Sequence, residues 1–190
     1  MKHEKDPKGK TAVLIVDMIA DFGFVDGEQL FIHALPTARR IADLKKRAAK
    51  ASLPVIYVND NYHKWKDDFK ATMRSAESSK SGKQIVDILR PGVDDYYVLK
   101  PQRSGFFGTP LDFLLENLNV SNLIVTGVTT DICVLFTAHD AYMRGYAVTV
   151  PGDCSAAVDV RDHRSALELI ARIADAEICD SDEIKFVVNG

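Results

Sequence analysis

The chain has 190 residues, enough for one domain with a sizeable core, and its 46% hydrophobic and 27% charged residues are the balance of an ordinary globular protein. A net charge of -3 gives no reason to expect nucleic acid or an anionic membrane surface as partner, and no apolar run approaches the ~18 residues of a membrane span. The cysteines, Cys133, Cys154 and Cys179, are odd in number and widely spaced, which argues against a disulfide framework or zinc knuckle and for a reducing, cytoplasmic setting.

Residues 1–10 are charged, lack the apolar segment of a signal peptide, and read as a short disordered tail before a single domain over 11–190. TAVLIV (11–16) is a continuous β-branched run of the kind buried on both faces of a parallel sheet. Residues 36–51 read as a helix, with Ile41, Leu44 and Ala48 at helical spacing and Pro36 near its start. PVIYV (54–58) is a second strand, and the polar, aromatic stretch 59–83 reads as a long loop with short helical pieces. YYVL (96–99) is a short third strand, followed by a helix over 110–117 and a fourth strand, LIVT (123–126). A helix over 132–144 closes at Gly145, a favoured C-terminal residue. AVTV (147–150), a helix over 160–174 and a sixth strand over 176–179 complete the pattern. Strands alternating with helices predict a doubly wound, six-stranded, mostly parallel sheet covered on both faces, an α/β three-layer sandwich.

In such a sheet the ligand binds beyond the carboxyl ends of the strands. Strand one ends in Asp17, strand three in Lys100, and strand four runs through GVTTDIC to place Cys133 at a helix start. A helix N-terminus carries roughly half a positive charge and lowers the pKa of a nearby thiol, and Lys100 would lower it further. Asp17 can take the thiol proton and return it, so the three make a nucleophile with its own base. Singly, each has a plainer reading: a buried cysteine is an inert small hydrophobe, Asp17 a helix cap or charge partner, Lys100 a solvated cation. Thr130 or Asp131 could simply cap the helix.

The pieces AVLIVDMIADF, PVIYVND, LKPQRSGFFGTPLD, LIVTGVTTDICVLFTAHDAYMRGY and VTVPGDCSA resemble the isochorismatase-like cysteine hydrolases. The resemblance implies a Rossmann-like αβα sandwich and a catalytic triad of Asp17, Lys100 and Cys133. It also implies a cis peptide between Val128 and Thr129, with the backbone N–H groups of Thr129 and Cys133 facing a developing oxyanion, and homo-oligomers of two or more chains. The expected activity is hydrolysis of an amide- or ureide-type C–N bond of a small molecule through a thioester on Cys133. The alternatives are vinyl-ether hydrolysis, or a non-catalytic or redox thiol protein on the same fold, with Cys154 as a second thiol. Nicotinamidases of this family bind a metal through Asp-x-His and a second histidine. Here two residues separate Asp60 from His63 and no second histidine precedes strand three, so no metal or other cofactor is expected.

Phe22, Asp60, Trp65, Ser104 and Phe106 are tentative pocket residues, together with Phe107; the plainer assignment packs Phe107 in the core and makes Trp65 a loop anchor. Ser104 hydrogen-bonds near Lys100 or caps its turn, and His33 and His139 read as structural. Gly9-Lys10-Thr11 precedes its strand and so fails as a phosphate loop, and neither GxGxxG nor GxSxG occurs.

Overall fold

The computed structural model describes residues 9–62, 65 and 68–186. Seven parallel strands form one sheet in the order β3-β2-β1-β4-β5-β7, with the short β6 beside β4. They are β1 (Lys10–Val16), β2 (Val55–Asp60), β3 (Tyr96–Lys100), β4 (Val120–Val128), β5 (Ala147–Pro151), β6 (Ser155–Ala156) and β7 (Glu177–Cys179). The sixth strand read from sequence is β7, and β6 is an addition of two residues too short to leave a periodic signal. Lys10, assigned to the tail, opens β1, where its N–H donates to Asn119 O at 2.8 Å.

Alternation along β1 shows why its run is apolar throughout. Val13 and Ile15 join one core, Ala12, Leu14 and Val16 the other, and all are fully buried. The first core is closed by α1 (Gly27–Lys50), α2 (Phe69–Ser78) and α3 (Lys80–Leu89). The second is closed by α4 (Leu111–Asn117), α5 (Leu135–Met143) and α6 (Val160–Ala174). The result is the expected three-layer α/β sandwich.

Three elements differ from the sequence reading. Helix α1 begins at Gly27 and runs straight through Pro36, because Leu30, Ala34, Ala38 and Ile41 form one buried stripe across it. Burial of that stripe outweighs the hydrogen bond the proline removes. Much of the supposed loop is helical: Asp68 caps α2 by accepting from Ala71 N, and Ser79 caps α3 by accepting from Gly82 N. The expected helix over 132–144 opens instead as a π-helical turn, Thr130–Val134, before α5. Its wide ring shows in Val134 N–H donating to Thr129 O at 3.1 Å.

The strand order reverses between β1 and β4, the place where an open α/β sheet leaves a crevice. The pairing leaves no room for a side chain there. Gly127 pairs with Val16 at φ +114, and a Cβ built on it would lie 2.0 Å from Val16 O.

Candidate active site

Three strand ends converge at that crevice. Asp17 follows β1 in a left-handed turn, φ 51, which a short polar side chain tolerates. Its N–H donates to Val58 O at 2.9 Å, tying the turn to β2. Its carboxylate is gripped from two sides: Oδ1 accepts Asp60 N–H at 2.7 Å, and Oδ2 accepts Lys100 Nζ at 2.8 Å. Lys100 brings the Cys133 sulfur to the same carboxylate, its Nζ contacting both. Lys100 Nζ also lies 3.5 Å from Cys133 Sγ and 3.4 Å from Asp60 Oδ2. The Lys100 side chain has no exposed surface, so its charge is answered almost wholly by these groups.

Electrostatics follow from that burial. Burial alone would pull Lys100 down, but Asp17, Cys133 and Asp60 outweigh it and the ammonium is held above its ordinary value. Burial raises the Asp17 carboxyl, with Lys100 and the hydrogen bonds opposing. Burial pushes the Cys133 thiol up to about 12, the Asp17 charge adds to the rise, and Lys100 opposes it. Lys100 lowers the thiol as expected, but burial and the Asp17 charge outweigh it, so the net direction is upward and not the downward one expected.

The peptide bond between Val128 and Thr129 is cis. Asp60 sits at the mouth, its carboxylate shared between Lys100 and the Tyr62 N–H, which donates at 2.6 Å. His63 lies outside the described residues, and among the described residues no three His, Cys, Asp or Glu side chains gather as a metal site would require. No helix among the described residues is long and apolar enough to cross a membrane.

Several tentative pocket residues are elsewhere. Phe22 is buried against Phe24 and Phe31, ring centroids 6.2 and 5.6 Å away, and belongs to the first core. Phe106 is also core, packed on Tyr146 and beneath the Arg144 guanidinium, while Phe107, whose plainer assignment was the core, is 61% exposed. Nothing in a short irregular loop encodes which of two adjacent phenylalanines turns inward. Ser104 neither touches Lys100 nor opens to the crevice: it donates to Asp140 and accepts from Phe106 N at 3.1 Å. Gly105 N–H donates to Thr137 Oγ1 at 3.0 Å, so this loop locks the segment after Lys100 to α5. Trp65 is 74% exposed and forms no pocket wall among the described residues.

Sequence reasoning missed Tyr62. Its N–H on the Asp60 carboxylate places it beside the site, and partial burial with the charges of Asp17, Asp60 and Asp21 holds its phenol above the ordinary value. The available signal was its position two residues beyond Asp60.

The model of the isochorismatase domain matches residues 11–183. The chain is 40% identical over 177 residues to the uncharacterized isochorismatase family protein YaaI of Bacillus subtilis, covering 93% of this chain and 97% of that protein. It is 30% identical over 177 residues to the ureidoacrylate amidohydrolase RutB of Caulobacter vibrioides, covering 79% and 78%. Among solved structures, N-carbamoylsarcosine amidase from Thermoplasma acidophilum superposes with a TM-score of 0.73 at 30% identity, covering 93% of this chain and 99% of that one. With a family match that runs from β1 past β7 and so takes in every residue of the crevice, this chain belongs to the isochorismatase family of hydrolases.

Proposed function

We propose that the protein hydrolyses a C–N bond of a small amide or ureide through a thioester on Cys133. The observation that carries this reading is the contact of one buried ammonium, Lys100, with both the Asp17 carboxylate and the Cys133 sulfur. The likeness to an amidohydrolase and an amidase supports it.

As the sulfur adds to the carbonyl carbon, its proton passes to Asp17, whose raised basicity suits the transfer. Lys100 stays beside both atoms, so the negative charge is never left alone in the crevice. The backbone N–H groups of Thr129 and Cys133 receive the oxyanion. When the tetrahedral adduct collapses, the C–N bond breaks and Asp17 returns the proton to the departing nitrogen. Water, deprotonated by Asp17, then adds to the thioester, and the carboxylic or carbamic acid leaves as the C–S bond breaks and the thiol is reprotonated. A vinyl ether offers the thiol no carbonyl carbon, which favours the amide reading.

The test is ammonia release from N-carbamoylsarcosine, ureidoacrylate, nicotinamide and biuret, with Cys133→Ala in parallel. Release by the wild type from at least one compound, reduced at least ~10³-fold in the variant, is expected. No release from any of them, or equal release by the variant, overturns the reading.

A further inference from the structure

The π-helical turn that carries Cys133 is anchored from outside the crevice. Thr130 is fully buried, and its Oγ1 lies 2.8 Å from Nδ1 of His163, on the first turn of α6. On either side of it, Thr129 Oγ1 and Asp131 Oδ1 are buried with no hydrogen-bond partner among the described residues. The Thr130 hydroxyl is therefore the side-chain bond that ties this stretch of the turn to α6.

We propose that His163 is a positioning residue for the nucleophile: its Nδ1 accepts the Thr130 hydroxyl and thereby holds the turn so that Cys133 meets Asp17 and Lys100. The proposal rests on Cys133 as nucleophile, but it adds a residue that touches neither substrate nor triad.

An acceptor role needs a neutral ring with its proton on Nε2, and the surroundings favour the neutral ring. Burial lowers the imidazole pKa, Arg164 on the same helix and His33 on α1 lower it further, and Asp131 in the turn opposes them. Protonation would make Nδ1 a donor and leave the buried hydroxyl hydrogen without an acceptor. The anchor thus weakens as pH falls through a value below the ordinary 6.5. Small displacements of a nucleophile are expensive: about 1 Å can cost about a hundredfold in rate.

The experiment combines two measurements that need no hydrolysable substrate. In the first, nitrogen-15 NMR reads the His163 tautomer and titration in the whole protein. An Nε2–H tautomer at pH 7.5 that titrates below about 6.5 is expected; a proton on Nδ1 at pH 7.5 overturns the proposal. In the second, mass spectrometry follows Cys133 alkylation by iodoacetamide at pH 8. His163→Ala and Thr130→Val should each slow it about tenfold, and the double variant no more than either, as expected when two residues act through one bond. His163→Asn, whose amide oxygen can replace Nδ1 as acceptor, should stay within about threefold of the wild type. Alkylation within about twofold of wild type in Thr130→Val, or equal slowing in His163→Asn and Thr130→Val, overturns the proposal even if His163→Ala fails to fold. Should the alkylation pattern appear while no amide is hydrolysed, the substrate class fails and the positioning role stands.

Discussion

Asp60 and Lys100 are partners twice over: they are paired residues across β2 and β3, and their side chains meet again beyond the strands, Oδ2 to Nζ at 3.4 Å. The backbone register thus delivers a second carboxylate to the ammonium that Asp17 already holds at 2.8 Å. The two carboxylates are unequal. Asp17 lies inside, its side chain 13% exposed, whereas the Asp60 side chain is 32% exposed and solvent shares its charge.

That inequality sets the size of two effects. Asp60→Asn should reduce kcat/KM by about tenfold or less, the scale of a partly solvated ion pair. Asp17→Asn should reduce it by about a thousandfold or more, since base and lysine partner are lost together. Steady-state ammonia release on a common substrate compares them; equal losses would refute the ranking.

Removing the Asp17 charge should also cost stability. Lys100 is wholly buried and would keep a single carboxylate, the more distant Asp60, beside the Cys133 sulfur. Breaking one side of a buried pair typically costs about 3–5 kcal/mol. Urea unfolding should show Asp17→Asn well below wild type, with Asp17→Asn/Lys100→Met recovering part of the loss because no orphan charge is left.

Alkali should unfold the protein partly through its thiols. Cys133 is raised from 9.0 to about 12, so the folded state keeps its proton where the unfolded chain releases it. For a raised pKa the stabilisation is complete below pH 9 and is lost as pH climbs towards 12. The midpoint of urea unfolding should therefore fall between pH 9 and 11, and fall less steeply in Cys133→Ala. An identical slope in the variant would contradict the assignment.

Ser104→Ala should separate stability from activity. It leaves the Phe106 N–H without its acceptor and Asp140 without its donor in a buried loop. A loss of about 1–3 kcal/mol in urea unfolding is expected, with KM changed less than about twofold. A large rise in KM instead would return Ser104 to the substrate pocket.

The convergence of Asp17, Lys100 and Cys133 was legible because a parallel sheet brings its strand ends to one edge, and each residue directly follows an apolar run or its turn. Their chemical roles are a proposal built on that geometry. Legibility failed where the outcome depends on neighbours distant in sequence. Pro36 looked like a helix start because local preference hides the stripe from Leu30 to Ile41 that carries α1 through it. Phe22 and Phe106 looked like pocket walls because aromatic residues in loops have no periodicity to reveal which face the core takes. The thiol was expected to be acidic because a helix start is visible in sequence and the depth of the crevice is not.

Gly127 limits how far this crevice can be re-engineered. What a methyl group there would strike is Val16 O and N, atoms that every amino acid carries. Trimming a neighbouring side chain therefore makes no room, and a damaged Gly127→Ala protein should have no single-residue suppressor among its contacts. The strand that ends in Asp17 thus refuses a side chain on the strand that leads to Cys133 through main-chain atoms, and φ +114 adds strain that only glycine escapes.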